Sequence, residues 1–154
     1  MKLLVVDDQT AVPYIFTTFL SDLMWERAGG TPETLPDILV AHTWNDAVAA
    51  FDAQASNIVG VVVDALLEID LLNRGADIEC CGPAFFWHVR RFSPHIPVVI
   101  FSMGGLAPFL REATGLNDLP PPSEGNYSYC EPLQLRSLDW FTPITIYARS
   151  RVHT

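Results

Sequence analysis

Lysine is nearly missing from this chain of 154 residues: Lys2 is the only one among nine basic side chains. Any site elsewhere in the sequence must manage its negative charge without an ammonium group. Cysteine is scarce too. Cys80, Cys81 and Cys130 are odd in number and have no CxxC spacing, and His42, His88, His95 and His153 are scattered, so neither a disulfide framework nor a zinc site is written here. No apolar run approaches the ~20 residues of a membrane span. The acidic Asp7-Asp8 falls where the apolar stretch of a signal peptide would continue. A cytoplasmic protein without membrane contact is the expectation. Positive charge is in deficit overall: net charge is −9 and the pI about 4.6, which disfavours direct binding to nucleic-acid phosphates.

What the chain has in plenty is core. Hydrophobic residues make up 49% and charged residues 18%, with mean hydropathy +0.22, the balance of a single folded domain. The opening run ends in Asp7 and Asp8, and two adjacent carboxylates at the end of a buried strand call for a cation between them, usually a hard metal ion. A second apolar run, Val59 to Val63, ends in Asp64, and a third, Ile96 to Phe101, ends in the hydroxyl of Ser102. Three strands that each deliver a polar group at their C-terminal end describe a site.

Between these runs the pattern alternates. Lys2 to Val6 reads as a strand, and Ala11 to Trp25 as a helix capped by Thr10. A turn-rich connection from Gly29 to Pro36 leads to a strand over Ile38 to Ala41 and a helix from about Asn45 to Ala55, capped by Thr43 or Asn45. After Asp64, the stretch Ala65 to Gly82 reads as an irregular loop or short helix carrying Glu68, Asp70, Arg74, Asp77 and Glu79. A helix from Pro83 to Phe92, a strand from Pro97 to Phe101, and a helix opened by Gly104-Gly105 and running to about Ala113 follow. Asn117 to Gly125 has the composition of a polyproline-like loop, and Tyr127 to Cys130 that of a fifth strand. This order predicts an α/β fold, a doubly wound five-stranded parallel sheet with helices on both faces, whose site lies at the carboxyl ends of the strands.

The ordered set Leu4-Val-Val-Asp-Asp8, Val61-Val-Val-Asp64, Pro97-Val-Val-Ile-Phe-Ser102 and Cys130-Glu-Pro132 resembles the receiver domain of two-component response regulators, a flavodoxin-like fold, over residues 1 to 141. The resemblance implies that Asp7, Asp8 and Asp64 bind Mg2+, that Asp64 accepts a phosphoryl group, and that Ser102 contacts that group. It also implies a histidine kinase or phosphotransfer protein as donor and a downstream protein as partner, with signalling by a surface change. Such a domain is a phosphoacceptor and not an enzyme. A phosphorylation-independent interaction module on the same fold is the alternative. A magnesium-dependent phosphohydrolase fits less well, because Ala65-Leu66 follows Asp64 with no acid two residues on, and no GxxxxGK loop is present.

Two departures from the family stand out. Its lysine, just before the proline after the fifth strand, is replaced by Glu131, and Lys2 is the only lysine in the chain. A fourth carboxylate at ~5 Å costs roughly 3 kcal/mol at an effective dielectric near 20. Three offsets stay open: Glu131 joins the metal, the carboxylates share a proton, or Glu131 turns away or meets an arginine such as Arg136 or Arg74. The family's aromatic switch position is Ser128, flanked by Tyr127 and Tyr129. The end of the chain differs as well. Leu133 to Phe141 has a helical pattern that Pro143 should stop, and Ile144 to Tyr147 alternates like a strand. Residues 142–154 are therefore read as an edge strand, a partner or homodimer arm, or the beginning of a linker, set against the plainer alternative that their apolar residues pack on the last helices as core.

Overall fold

The computed structural model describes residues 1–8, 22–67, 81–102, 106–131 and 139–152. The strands β1 (Lys2–Val6), β2 (Asp37–Ala41), β3 (Ile58–Asp64), β4 (Val98–Phe101) and β5 (Tyr127–Cys130) form one parallel sheet in the order β2-β1-β3-β4-β5. The described helical segments are α1 (Asp22–Arg27), α2 (Trp44–Gln54), α3 (Gly82–Phe92), α4 (Pro108–Ala113), the single turn α5 (Pro122–Gly125) and α6 (Thr142–Val152). This is the doubly wound α/β sheet that the sequence predicts.

Alternation along the strands divides the core. Leu4 and Val6 pack with Phe51 of α2 and Phe85 and Phe86 of α3, while Leu3 and Val5 pack on the other face with Trp25, Val62, Val99 and Ile144. Strands buried on both faces need apolar side chains at every position, which is why β1, β3 and β4 read as unbroken runs. Each fully buried Val or Leu contributes ~1.5–3 kcal/mol. Local caps agree with this layout: Thr43 Oγ1 accepts from the Asp46 N–H at 3.1 Å and starts α2, and Pro83 falls in the first turn of α3.

The end of the chain corrects the edge-strand reading. Thr142–Val152 is helical. Pro143 is its second residue, where a missing N–H costs no hydrogen bond, and so it opens the helix instead of stopping one. Ile144 and Ala148, four apart, are fully buried, whereas Ile146 is exposed, so the apparent strand alternation is one stripe of a helix. Thr145 Oγ1 donates to the Ala28 carbonyl at 2.7 Å. Gly60 of β3 lets α6 come close, since a Cβ there would stand 2.8 Å from Ile144. Core packing is seen for one face of this helix, through Ile144 and Ala148.

The predicted polyproline-like loop is kept only at Leu119 (φ −69, ψ 148) and Pro121 (φ −52, ψ 143), between a 3-10 turn (Leu116–Asp118) and α5. Asn126 ends α5 at φ 53, a left-handed conformation that asparagine tolerates. Arg90 of α3 fixes this corner. Its guanidinium donates to the carbonyls of Ile96 (2.7 Å), Gly125 (2.7 Å) and Asn126 (2.8 Å), tying the approaches to β4 and β5 together, and burial draws its pKa down to about 10. The expected Thr10 cap and helix start at Ala11, the acids from Glu68 to Glu79, Arg74, Cys80, Gly104-Gly105, Arg136 and His153 lie outside the described residues.

Candidate functional site

β1 and β3 end side by side, Val6 pairing with Val63, and this brings Asp7, Asp8 and Asp64 together. One carboxylate oxygen from each lies within 4.8 Å of the others. Asp7 is 2% exposed, its N–H donating to the Ala41 carbonyl at 3.0 Å, while its own carbonyl accepts from His42 Nδ1 at 2.9 Å. That contact fixes the imidazole proton on Nδ1, because a carbonyl can only accept. Asp8 is exposed.

Asp64 is the last residue of β3. Burial pushes its carboxyl up to about 6; the Leu66 N–H, donating to Oδ1 at 3.0 Å, opposes the shift, and the charge of Asp8 adds to it. The backbone just after it is held on two sides: Ala65 N–H donates to Phe101 O at 2.8 Å, and Gly82 N–H to Ala65 O at 3.1 Å. Gly82 is there because nothing larger fits. A Cβ would meet Asp64 O at 2.7 Å and the Ala65 Cα at 2.8 Å, both of them backbone.

Ser102 follows β4 directly. It is 4% exposed, and its N–H donates to Cys130 O at 3.0 Å. Glu131 follows β5, where its Oε1 accepts from Tyr129 Oη at 3.3 Å. It is not among the three clustered carboxylates. The Arg111 guanidinium of α4 stands over the Tyr129 ring, 5.1 Å from its centroid. Burial raises the Tyr129 pKa, helped by Glu131 and opposed by Arg111 and Ser102.

Three hard oxygen donors converging from two strand ends suit a small divalent cation, which takes carboxylate oxygens and keeps water in its remaining positions. A desolvated carboxylate beside a second negative charge gains from such a partner, so the elevated Asp64 pKa is itself a sign of fit. Sequence placed Asp7, Asp8, Asp64 and Ser102 at strand ends, and the structure puts them there. Sequence did not find Arg111, His42 or Gly82. Their contacts come from other elements, and no local pattern marks them.

No protein-family model matches the chain. No curated protein matches it either. Solved structures do. A response regulator receiver domain protein from Clostridium thermocellum superposes with TM-score 0.57 at 15% identity, covering 99% of this chain and 98% of that one. A CheY-like receiver domain protein from Methanospirillum hungatei JF-1 gives 0.55 at 16% identity, with 99% and 96% covered. The receiver domain of a Francisella response regulator gives 0.53 at 18%, with 97% of each chain covered. Sheet order, strand-end acids and these full-length superpositions agree: the chain has the fold of a response-regulator receiver domain.

Proposed function

We propose that this protein is a receiver of two-component signalling that accepts a phosphoryl group on Asp64 from a histidine kinase or phosphotransfer protein. The observation that carries this reading is the convergence of Asp7, Asp8 and Asp64 within 4.8 Å, beside the Ser102 hydroxyl at the end of the next strand. Asp7, Asp8 and Asp64 would hold Mg2+, which when bound neutralises charge on the transferring oxygens. The Leu66 N–H holds Asp64 Oδ1, leaving Oδ2 to attack phosphorus as the bond to the donor breaks. Gly82 and the Phe101 carbonyl fix the backbone that aims it. Ser102 is the hydroxyl at hand to donate to the new phosphoryl group, and a change in its loop would carry the signal to a downstream protein.

One observation favours a second reading, a phosphorylation-independent interaction module: Glu131 stands where the family has its lysine, and Lys2 lies at the opposite end of β1. The two readings part on a single experiment. Incubated with acetyl phosphate and Mg2+, the wild type should gain a phosphoryl adduct by intact mass that Asp64→Asn and an EDTA control lack. An unmodified wild type at saturating donor would leave the interaction module standing.

A further inference from the structure

Asp7 is the first residue past the paired part of β1, and both of its backbone polar groups are held by the corner that follows β2. Its N–H donates to the Ala41 carbonyl at 3.0 Å, and its carbonyl accepts from His42 Nδ1 at 2.9 Å. With Val6 paired to Ala41, a continuing parallel ladder would bring the next backbone N–H, that of Thr43, to the Asp7 carbonyl. Thr43 instead caps α2, its Oγ1 accepting from the Asp46 N–H. The donor at the Asp7 carbonyl is the imidazole of His42, so a side chain makes the bond that the ladder would have made.

A residue whose N–H and C=O are both held has its two soft dihedrals set together, which fixes the direction in which its carboxylate leaves the chain. The peptide unit is planar, so the bond to the Asp7 carbonyl also orients the N–H of Asp8. This matters because carboxylate oxygens within 4.8 Å of one another repel, and a backbone free to turn would let the exposed Asp8 swing away. We propose that His42 is a positioning residue of the acidic site, whose Nδ1–H holds the Asp7 carbonyl and so sets the backbone from which Asp7 and Asp8 reach a divalent cation. The inference rests on the reading that Asp7, Asp8 and Asp64 hold Mg2+, and it adds a group from the β2–α2 corner to a site otherwise built from β1 and β3. A group that orients a ligand lowers the cost of gathering like charges, so its removal is read in metal affinity.

Calorimetric titration of the folded protein with Mg2+ tests this on three variants. His42→Leu removes the donor and should weaken Mg2+ binding about 3- to 10-fold, the fold-change of one positioning hydrogen bond. His42→Asn keeps an N–H donor close to where Nδ1 stood and has no second ring nitrogen, so it should bind Mg2+ as the wild type does. Thr43→Ala removes the cap of α2 at the neighbouring residue and should lower resistance to urea while leaving Mg2+ affinity unchanged. Loosening of the corner alone would not produce that pattern. Equal affinity in wild type and His42→Leu, a His42→Asn variant as weak as His42→Leu, or an equal loss in Thr43→Ala overturns the inference and leaves the three acids as the Mg2+ site. A wild type that binds no Mg2+ overturns both.

Discussion

At the scale of single residues, Asp64 is held in a state that works against its charge. Its folded pKa near 6 exceeds the ordinary value of 3.8, so the native state binds the proton more tightly than the unfolded chain does. Well below pH 3.8 both states are protonated at this group. Between there and pH 6 the unfolded chain ionises while the folded protein keeps its proton, and stability falls by about 3 kcal/mol, a loss complete once pH has risen through 6. In EDTA, Asp64→Asn should therefore be more stable than wild type at about pH 7.5, by ~1–3 kcal/mol in denaturant unfolding, with the difference closing toward about pH 4.5. A constant difference across that range would mean that Asp64 is not desolvated. Saturating Mg2+ should stabilise the wild type more than Asp64→Asn, since the asparagine lacks the negative charge the metal would engage.

At the scale of elements, two glycines separate support of the fold from support of the site. Gly60 and Gly82 both face atoms closer than 3 Å to where a Cβ would lie. For Gly60 those atoms are the flexible side chain of Ile144, on the far side of the sheet from α2 and α3. For Gly82 they are the backbone of Asp64 and Ala65. Each alanine substitution should cost ~1–3 kcal/mol of stability through overpacking. Gly82→Ala should also weaken Mg2+ binding, measured by calorimetry, while Gly60→Ala leaves it unchanged. Equal loss of metal affinity in both would show that Gly82 has no special part in placing Asp64.

The same elements show what a sequence can disclose. Buried parallel strands announce themselves because both faces demand apolar residues, so β1, β3 and β4 and the polar groups that end them were legible. The helix α6 was not, because Ile144-Thr-Ile-Tyr147 is too short to distinguish a period of 2 from one of 3.6, and Pro143 reads as a breaker until it is known to lie in a first turn. Pro120-Pro-Pro122 read as extended, yet Pro122 opens a helical turn, again the position where proline costs least. The partners of Glu131 were illegible for a different reason. Tyr129 is two residues away and pairs with it through side chains, while Arg111 arrives from α4 over the Tyr129 ring, a contact that only the tertiary fold decides.

At the scale of the whole molecule, five parallel strands in the order β2-β1-β3-β4-β5 bring their carboxyl ends to one edge, and the sequence spends its polar groups there: Asp7 and Asp8 after β1, Asp64 at the end of β3, Ser102 after β4 and Glu131 after β5. With a net charge of −9 and Lys2 at the opposite end of β1, the chain brings no ammonium group to that edge. An added cation therefore matters more to this site than to one with its own lysine. The central claim is that Asp64 is the group that takes the phosphoryl. Borohydride reduction after exposure to acetyl phosphate and Mg2+ converts an aspartyl phosphate to homoserine, and peptide sequencing by mass spectrometry then locates it. Homoserine at position 64, lost on adding EDTA, is the predicted result; an unreduced Asp64 with full peptide coverage, or homoserine at another carboxylate, would contradict the account.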